Sequence, residues 1–271
     1  MIPYIELPAR FSWGPFTLHP FGLLAVMACV VGYAVGHWHS RQAGLDVRVF
    51  RRLTLWVLIW GFALSYWVSL GLYYPETLPG LLTQQPLRLL NLSASMSSYG
   101  GFCGGALGAL LYGKKHRLPL RAYGDALTVG WTAGWFFGRL GCTLTHDHPG
   151  IPSNFVLAVH FPDGPRHDLG LYEWLYTIGL NILVFTLRRT SLPDGALLGL
   201  VSVCYAPMRF FLDFLRVGER RYWGLTPGQY FSVALLGFGL WMLLTLRSQR
   251  AGSGRTVRTP GRAGSIPLHT S

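Results

Sequence analysis

Between Gly138 and Gly150 the chain reads GRLGCTLTHDHPG. A guanidinium fork matches the oxygens of a phosphate, and the glycines beside Arg139 let the backbone bend and approach a ligand. The His146-Asp147-His148 cluster follows directly. Pro149 biases His148 toward extended geometry, and in an extended run residues two apart share a face, so the two imidazoles are expected to converge. The His-x-His spacing invites a zinc reading, with a third ligand drawn from His160, His167, Asp147 or Asp168. An acid/base pair in which Asp147 or Asp168 orients an imidazole uses the same residues differently. A solvated interfacial loop uses none of them, and all three readings stay open here.

A second constellation lies in CYAPMRFFLDFLRVGERR. At ~100° per residue, Tyr205, Arg209, Asp213 and Arg216 fall within an arc of roughly 80° on a helix. Arg216, near the helix end, is accounted for equally well by an arginine snorkelling to the interface. Arg209 lies about two turns deeper, where an ionisable group points to function. In RHDLGLYEW, Glu173 stands beside Tyr172; it is either an acid at the positive end of a helix dipole or part of the same polar site.

The surrounding chain is apolar. Of 271 residues 51% are hydrophobic and only 13% charged, against about a quarter charged in soluble domains, which indicates a membrane protein. About seven segments have roughly spanning length, near 21–38, 53–73, 98–113, 124–144, 169–187, 195–215 and 228–246. In the third, Gly100, Gly104 and Gly108 repeat every four residues and present a small face for close helix packing. The expected fold is an all-α seven-transmembrane-helix bundle, one domain over 1–246, followed by a basic, disordered cytoplasmic tail over 247–271.

A net charge of +12 would fit nucleic acid, but its distribution argues for topology instead. Most basic residues fall in alternate loops: Arg41, Arg48, Arg51 and Arg52; Lys114, Lys115, Arg117 and Arg121; Arg188 and Arg189; then Arg247 and the tail arginines. By the positive-inside rule the N-terminus is outside and the C-terminus cytoplasmic. The N-terminal segment lacks a charged n-region and a small-residue cleavage site, so the first segment is expected to be retained. Cys29, Cys103, Cys142 and Cys204 form no CxxC pair and read as small packing residues.

Taken in order, the motifs resemble the bacterial prolipoprotein diacylglyceryl transferases. LHPFGL (18–23), MSSYGG (96–101), GRLGCTLTHDHPG (138–150), HFPDGPRHDLGLYE (160–173), YAPMRFFLDFLR (205–216) and PGQYFS (227–232) follow the family's order from about residue 15 to 246. The resemblance implies a multi-pass protein of the bacterial inner membrane. Its implied reaction moves diacylglyceryl from phosphatidylglycerol to the thiol of a lipobox cysteine in a prolipoprotein signal peptide, with loss of glycerol 1-phosphate. It implies that Arg139 and Arg209 hold the phosphate, supported by Tyr205, Asp213, Arg216, Glu173 and His19, with no metal, nucleotide or other cofactor and no nucleic-acid partner.

The sequence departs from the family pattern at several places. Tyr99 replaces the histidine of the Met-Ser-x-His-Gly-Gly element, and Phe21 replaces a first-helix tyrosine. Cys142 and Thr145 stand for two asparagines of the signature and Asp147 for its glutamate. Ala63 lies near the place of an expected arginine. A tyrosine with a pKa near ~10 donates a hydrogen bond more readily than it accepts a proton. His146 or His148, with Asp147, is therefore expected to have taken over base duty beside Arg139, since imidazole titrates near ~6.5. The alternative is a phospholipid-binding protein of the same fold that has lost the transfer step or changed its specificity.

Overall fold

A computed structural model describes residues 1–5, 11–13, 16–18, 20–80 and 96–253. His19 and the tail beyond Ser253 lie outside the described residues.

Seven long helices carry the fold among the described residues: α1 (Pro20–Gln42), α2 (Val47–Val68), α3 (Ser98–His116), α4 (Leu120–Thr145), α5 (Leu169–Leu187), α6 (Ala196–Leu212) and α7 (Pro227–Ser253). Five of them, counting short continuations of α2 and α6, are long and apolar enough to cross a membrane. The other two, α3 and α4, are diluted by glycine and carry Lys114, Lys115, Asp125 and Arg139. The apolar segments expected from sequence coincide with the helices to within a turn or two. The exception is the last, because α7 continues through residues assigned to the tail and ends at Ser253; nothing in RSQRAGS breaks a helix as proline would.

Local chemistry explains where several helices begin. The Asp46 carboxylate accepts from the backbone N–H of Arg48 at 2.7 Å and starts α2, Ser97 accepts from Gly100 and starts α3, and Asp168 accepts from Leu171 at 3.1 Å and starts α5. Each satisfies a donor that the helix itself leaves unpaired. At α7, Thr226 and Gln229 form a reciprocal box. The Gln229 N–H donates to Thr226 Oγ1 at 3.1 Å and the Thr226 N–H to Gln229 Oε1 at 2.9 Å, with Pro227 preorganised at the first helical position.

Packing runs in pairs, α1 on α4, α2 on α3 and α6 on α7, with α4 also against α5 and α6. Small residues permit the closest approaches. A side chain at Gly104 would land on the Trp60 carbonyl of α2, and one at Gly130 on the Gly32 carbonyl of α1. The four-residue glycine spacing of α3 therefore does what its periodicity predicts: Gly100, Gly104 and Gly108 all face α2.

One feature is absent from the seven-helix expectation. Between α4 and α5 the chain forms β4 (Pro149–Pro152), β5 (Val159–Phe161) and β6 (Gly164–Asp168). With β1 (Ile2–Pro3) they make a four-stranded sheet in the order β1-β5-β6-β4, and β2 (Phe11–Trp13) pairs with β3 (Phe16–Leu18). These strands are too short for a period-two pattern to stand out in the sequence. The sheet lies at the bundle end where α4 finishes and α5 starts. Gly150 bridges to the backbone of Arg216, where an added side chain would meet Leu215 and His167.

Candidate active site

The end of α4, the start of α5, the end of α6 and the start of α7 converge beneath this sheet on a buried ladder of alternating charges. Arg139 Nε is 2.5 Å from Glu173 Oε2, and Glu173 Oε1 is 3.3 Å from Arg209 Nη1. Arg209 pairs with Asp213 four residues on; Asp213 Oδ1 also stands 3.1 Å from Arg216 Nε, and Arg216 pairs with Glu219. Arg139 and Arg209 are each 3% exposed, while Glu173 and Asp213 are fully buried. Three guanidiniums alternate with three carboxylates, so every buried charge has a neighbour of opposite sign. That arrangement is what makes such burial tolerable.

The ladder leaves hydrogen-bonding capacity unused. Arg139 Nη2 is buried without a hydrogen-bond partner, as is Arg209 Nε. The Tyr205 hydroxyl lies beside Arg139 but makes no hydrogen bond of good geometry. The Arg139 guanidinium sits over the Trp135 ring, 4.6 Å from its centre, and Nη1 reaches Cys142 Sγ at 3.7 Å. Buried donors of this kind, aimed from a cationic plane, suit an oxyanion.

Asp213 ties the ladder to α7. Its Oδ2 accepts from Thr226 Oγ1 at 2.7 Å, and Gly228 packs so close to the same carboxylate that any side chain there would strike it. Tyr99, from the start of α3, is hydrogen-bonded to Ser232 of α7 and stacks on Phe231 at 5.4 Å. Its ring lies 5.9 Å from the Arg209 guanidinium, so it packs against the ladder with its hydroxyl already engaged.

The two histidines do not converge. His146 ends α4 in the left-handed conformation (φ 49°), which breaks the extended run on which the shared-face expectation rests. Its Nδ1 meets Asp168 Oδ2 at 2.5 Å, and its ring packs against Tyr4 and Phe161. Burial pushes the Asp168 carboxyl up, and the His146 hydrogen bond partly opposes that. His146 is thus committed to fastening the end of α4 to the sheet and to the start of α5. His148 turns the other way, toward Asp147 and Cys142. The reactive atoms of these three side chains lie within 4.8 Å of one another. Burial, then the charges of Arg216 and Arg139, hold the His148 ring neutral and pull its pKa down to about 3. Burial pushes the Asp147 carboxyl up, partly offset by Arg139.

A family model described as prolipoprotein diacylglyceryl transferase matches residues 8–245. The chain belongs to that family. It is 28% identical to the phosphatidylglycerol–prolipoprotein diacylglyceryl transferase of Nitratidesulfovibrio vulgaris over 271 residues, covering 95% of this chain and 100% of the relative. The enzymes of that name from Deinococcus radiodurans and Rhizobium meliloti are 25% and 26% identical, over 92% and 93% of this chain and 88% and 97% of their own lengths.

Within this transferase-family bundle, Arg139, Glu173, Tyr205, Arg209, Asp213 and Arg216 come together in one cluster, Asp147 and His148 adjoin it through Cys142, and His146 stands apart. Cys142, expected as a small packing residue, is buried and in addition lies between Arg139 and the Asp147–His148 pair. Thr226, Gly228, Ser232 and Glu219 were also missed. The first of these had a legible signal, the Thr-Pro-Gly-Gln capping pattern at residues 226–229; the others depend on contacts between helices.

Proposed function

We propose that this chain transfers the diacylglyceryl group of phosphatidylglycerol to the lipobox cysteine thiol of prolipoproteins, within the bacterial inner membrane. All seven helices span the bilayer, the N-terminus and the sheet-capped site lie outside, and the basic loops and C-terminus face the cytoplasm. The observation that carries the site assignment is the buried ladder with unused donors on Arg139 and Arg209.

In this reading the phospholipid phosphate enters against Arg139, accepting from the free N–H groups of that arginine and of Arg209. The acceptor thiol loses its proton, its sulfur forms a bond to the terminal glyceryl carbon, and the bond from that carbon to the phosphate oxygen breaks. Glycerol 1-phosphate leaves with the electron pair, and the arginines stabilise the charge that builds on its oxygen. Glu173 and Asp213 hold the two guanidiniums in place, with Tyr205 and Arg216 beside them.

His148 receives the thiol proton. Its ring is neutral at physiological pH, so a nitrogen is free to accept. Burial weakens its basicity most, and the charges of Arg216 and Arg139 weaken it further. The arriving phosphate offsets those charges, so His148 becomes a better base when substrate is present. Asp147 stands beside the imidazole without a hydrogen bond to it, 3.7 Å away, Tyr99 supports Arg209, and His146 serves as an anchor.

The test uses purified protein in phosphatidylglycerol-containing micelles with a lipobox peptide, followed by mass spectrometry. A diacylglyceryl increment on the cysteine, abolished in Arg139→Ala and Arg209→Ala and lowered in His148→Gln, is the expected result. Bound lipid with no increment would replace this reading with that of a non-catalytic phospholipid-binding protein, a role consistent with Tyr99 being occupied by Ser232. Full turnover in His148→Gln would remove His148 as the base.

A further inference from the structure

Cys142, Asp147 and His148 form, among the described residues, a set of three metal-ligating side chains whose donor atoms lie mutually within 4.8 Å. The sequence gives little hint of it. The His-x-His spacing directs attention to His146, which is spent on Asp168 at 2.5 Å, while the thiol comes from Cys142, in the last turn of α4. The left-handed turn at His146 reverses the chain and returns Asp147 and His148 to the face of α4 that bears Cys142.

We infer that Cys142 Sγ, an Asp147 carboxylate oxygen and a His148 ring nitrogen form a binding site for a thiolate-preferring divalent cation of the zinc class. The set has the right chemistry: one thiolate, one imidazole and one carboxylate is a mixture that zinc accepts, with a fourth position left open. The spacing is close to what a single ion needs. His148 Nε2 and Asp147 Oδ1 are 3.7 Å apart, too far for a hydrogen bond. Two ligands at bond lengths near 2.0–2.2 Å on a tetrahedral ion stand roughly 3.3 Å apart. Side-chain rotation closes the difference, since Asp147 and His148 are both partly exposed.

Charge at the site is balanced by its own ligands. A thiolate and a carboxylate neutralise a divalent ion. Arg139 and Arg216 place positive charge near His148, countered in part by Glu173 at 2.5 Å from Arg139 Nε, so the two anionic ligands must carry the binding. A bound ion would displace the thiol proton of Cys142, whose sulfur lies 3.7 Å from Arg139 Nη1.

The experiment titrates Co²⁺ into the purified, reduced full-length protein in zwitterionic micelles with no phospholipid substrate or peptide present, and reads the near-ultraviolet thiolate-to-cobalt band and the visible bands of tetrahedral Co²⁺. The expected result is about one equivalent bound with a thiolate band, displaced by Zn²⁺ and lost in Cys142→Ser. In His148→Gln, which keeps the thiol, affinity falls by at least ~10-fold. Absence of a thiolate band in the unaltered protein, or a band that survives Cys142→Ser, overturns the inference. Unchanged affinity in a folded His148→Gln does so independently. A bound ion occupies the His148 nitrogen that the proposed transfer needs, so the site is an inhibitory one; because the reading is made without substrate, the metal site and the transferase assignment fail separately.

Discussion

Replacing Glu173 with glutamine removes the rung that joins Arg139 to Arg209 while keeping the side chain's shape. Glu173 is fully buried and faces Arg139 at 2.5 Å and Arg209 at 3.3 Å. At an effective dielectric near 20, a pair of unit charges ~4 Å apart interacts by ~4 kcal/mol, and Glu173 makes two such interactions. Relief of the carboxylate's own desolvation offsets about half, which leaves ~3–5 kcal/mol, the range for deleting one member of a buried ion pair. At ~2–4 °C per kcal/mol for a chain of this size, Glu173→Gln should lower the unfolding midpoint by roughly 6–20 °C in zwitterionic micelles. The assay is thermal unfolding followed by tryptophan fluorescence, to which Trp135 beneath Arg139 contributes. Added phosphatidylglycerol should raise the midpoint more in the variant than in the unaltered protein, since a bound phosphate supplies the missing negative charge. Asp163→Asn, at the exposed pair with Arg166, should leave the midpoint unchanged. A Glu173→Gln midpoint within about 2 °C of the unaltered protein would refute the view that this carboxylate holds the arginines together.

Three further outcomes follow from the same geometry. Gly104→Val puts a branched side chain against the Trp60 carbonyl, and should destabilise the α2–α3 pair by at least ~1–3 kcal/mol, read as loss of monodisperse protein on gel filtration in detergent. His148 holds a proton far less readily folded (about 3) than at its ordinary 6.5, so the unfolded chain binds that proton first and stability falls as pH drops from 6.5 toward about 3. His148→Gln should flatten the stability–pH profile in that window by up to ~1.4 kcal/mol per pH unit; an unchanged slope there contradicts the assignment. His146→Gln weakens the contact with Asp168, so it should lower the unfolding midpoint and leave peptide turnover per folded molecule within about two-fold, whereas His148→Gln should show the reverse.

Much of this protein follows from periodicity. Apolar runs of roughly spanning length mark the seven long helices, five of them long and apolar enough to cross a membrane, because a helix in lipid must satisfy its own backbone and announces itself by composition. The four-residue glycine spacing of α3 identifies the face that meets α2, and a ~100° turn per residue aligns Tyr205, Arg209 and Asp213. Capping residues at Asp46, Ser97, Asp168 and Thr226 mark where helices begin. Each of these is a relation between residues on one element, and the geometry of that element is enough to read it.

What joins one element to another was settled by packing. Glu173 could be an ordinary acid at a helix start until α4, α5 and α6 meet, and then two guanidiniums from other helices fix its role. Asp213 reads as Arg209's partner on α6, yet its second oxygen is held by Thr226 from the start of α7. The histidines diverge because a single residue, His146, adopts a positive φ, a choice made by the Asp168 carboxylate and the aromatic rings that receive it. Cys142 gains its neighbours only once that turn has folded the following residues back along α4. Most of the residues able to do chemistry were therefore legible in the sequence one by one, Cys142 being an exception, while their pairing came from tertiary contacts, which depend on how close helices distant in the chain can approach.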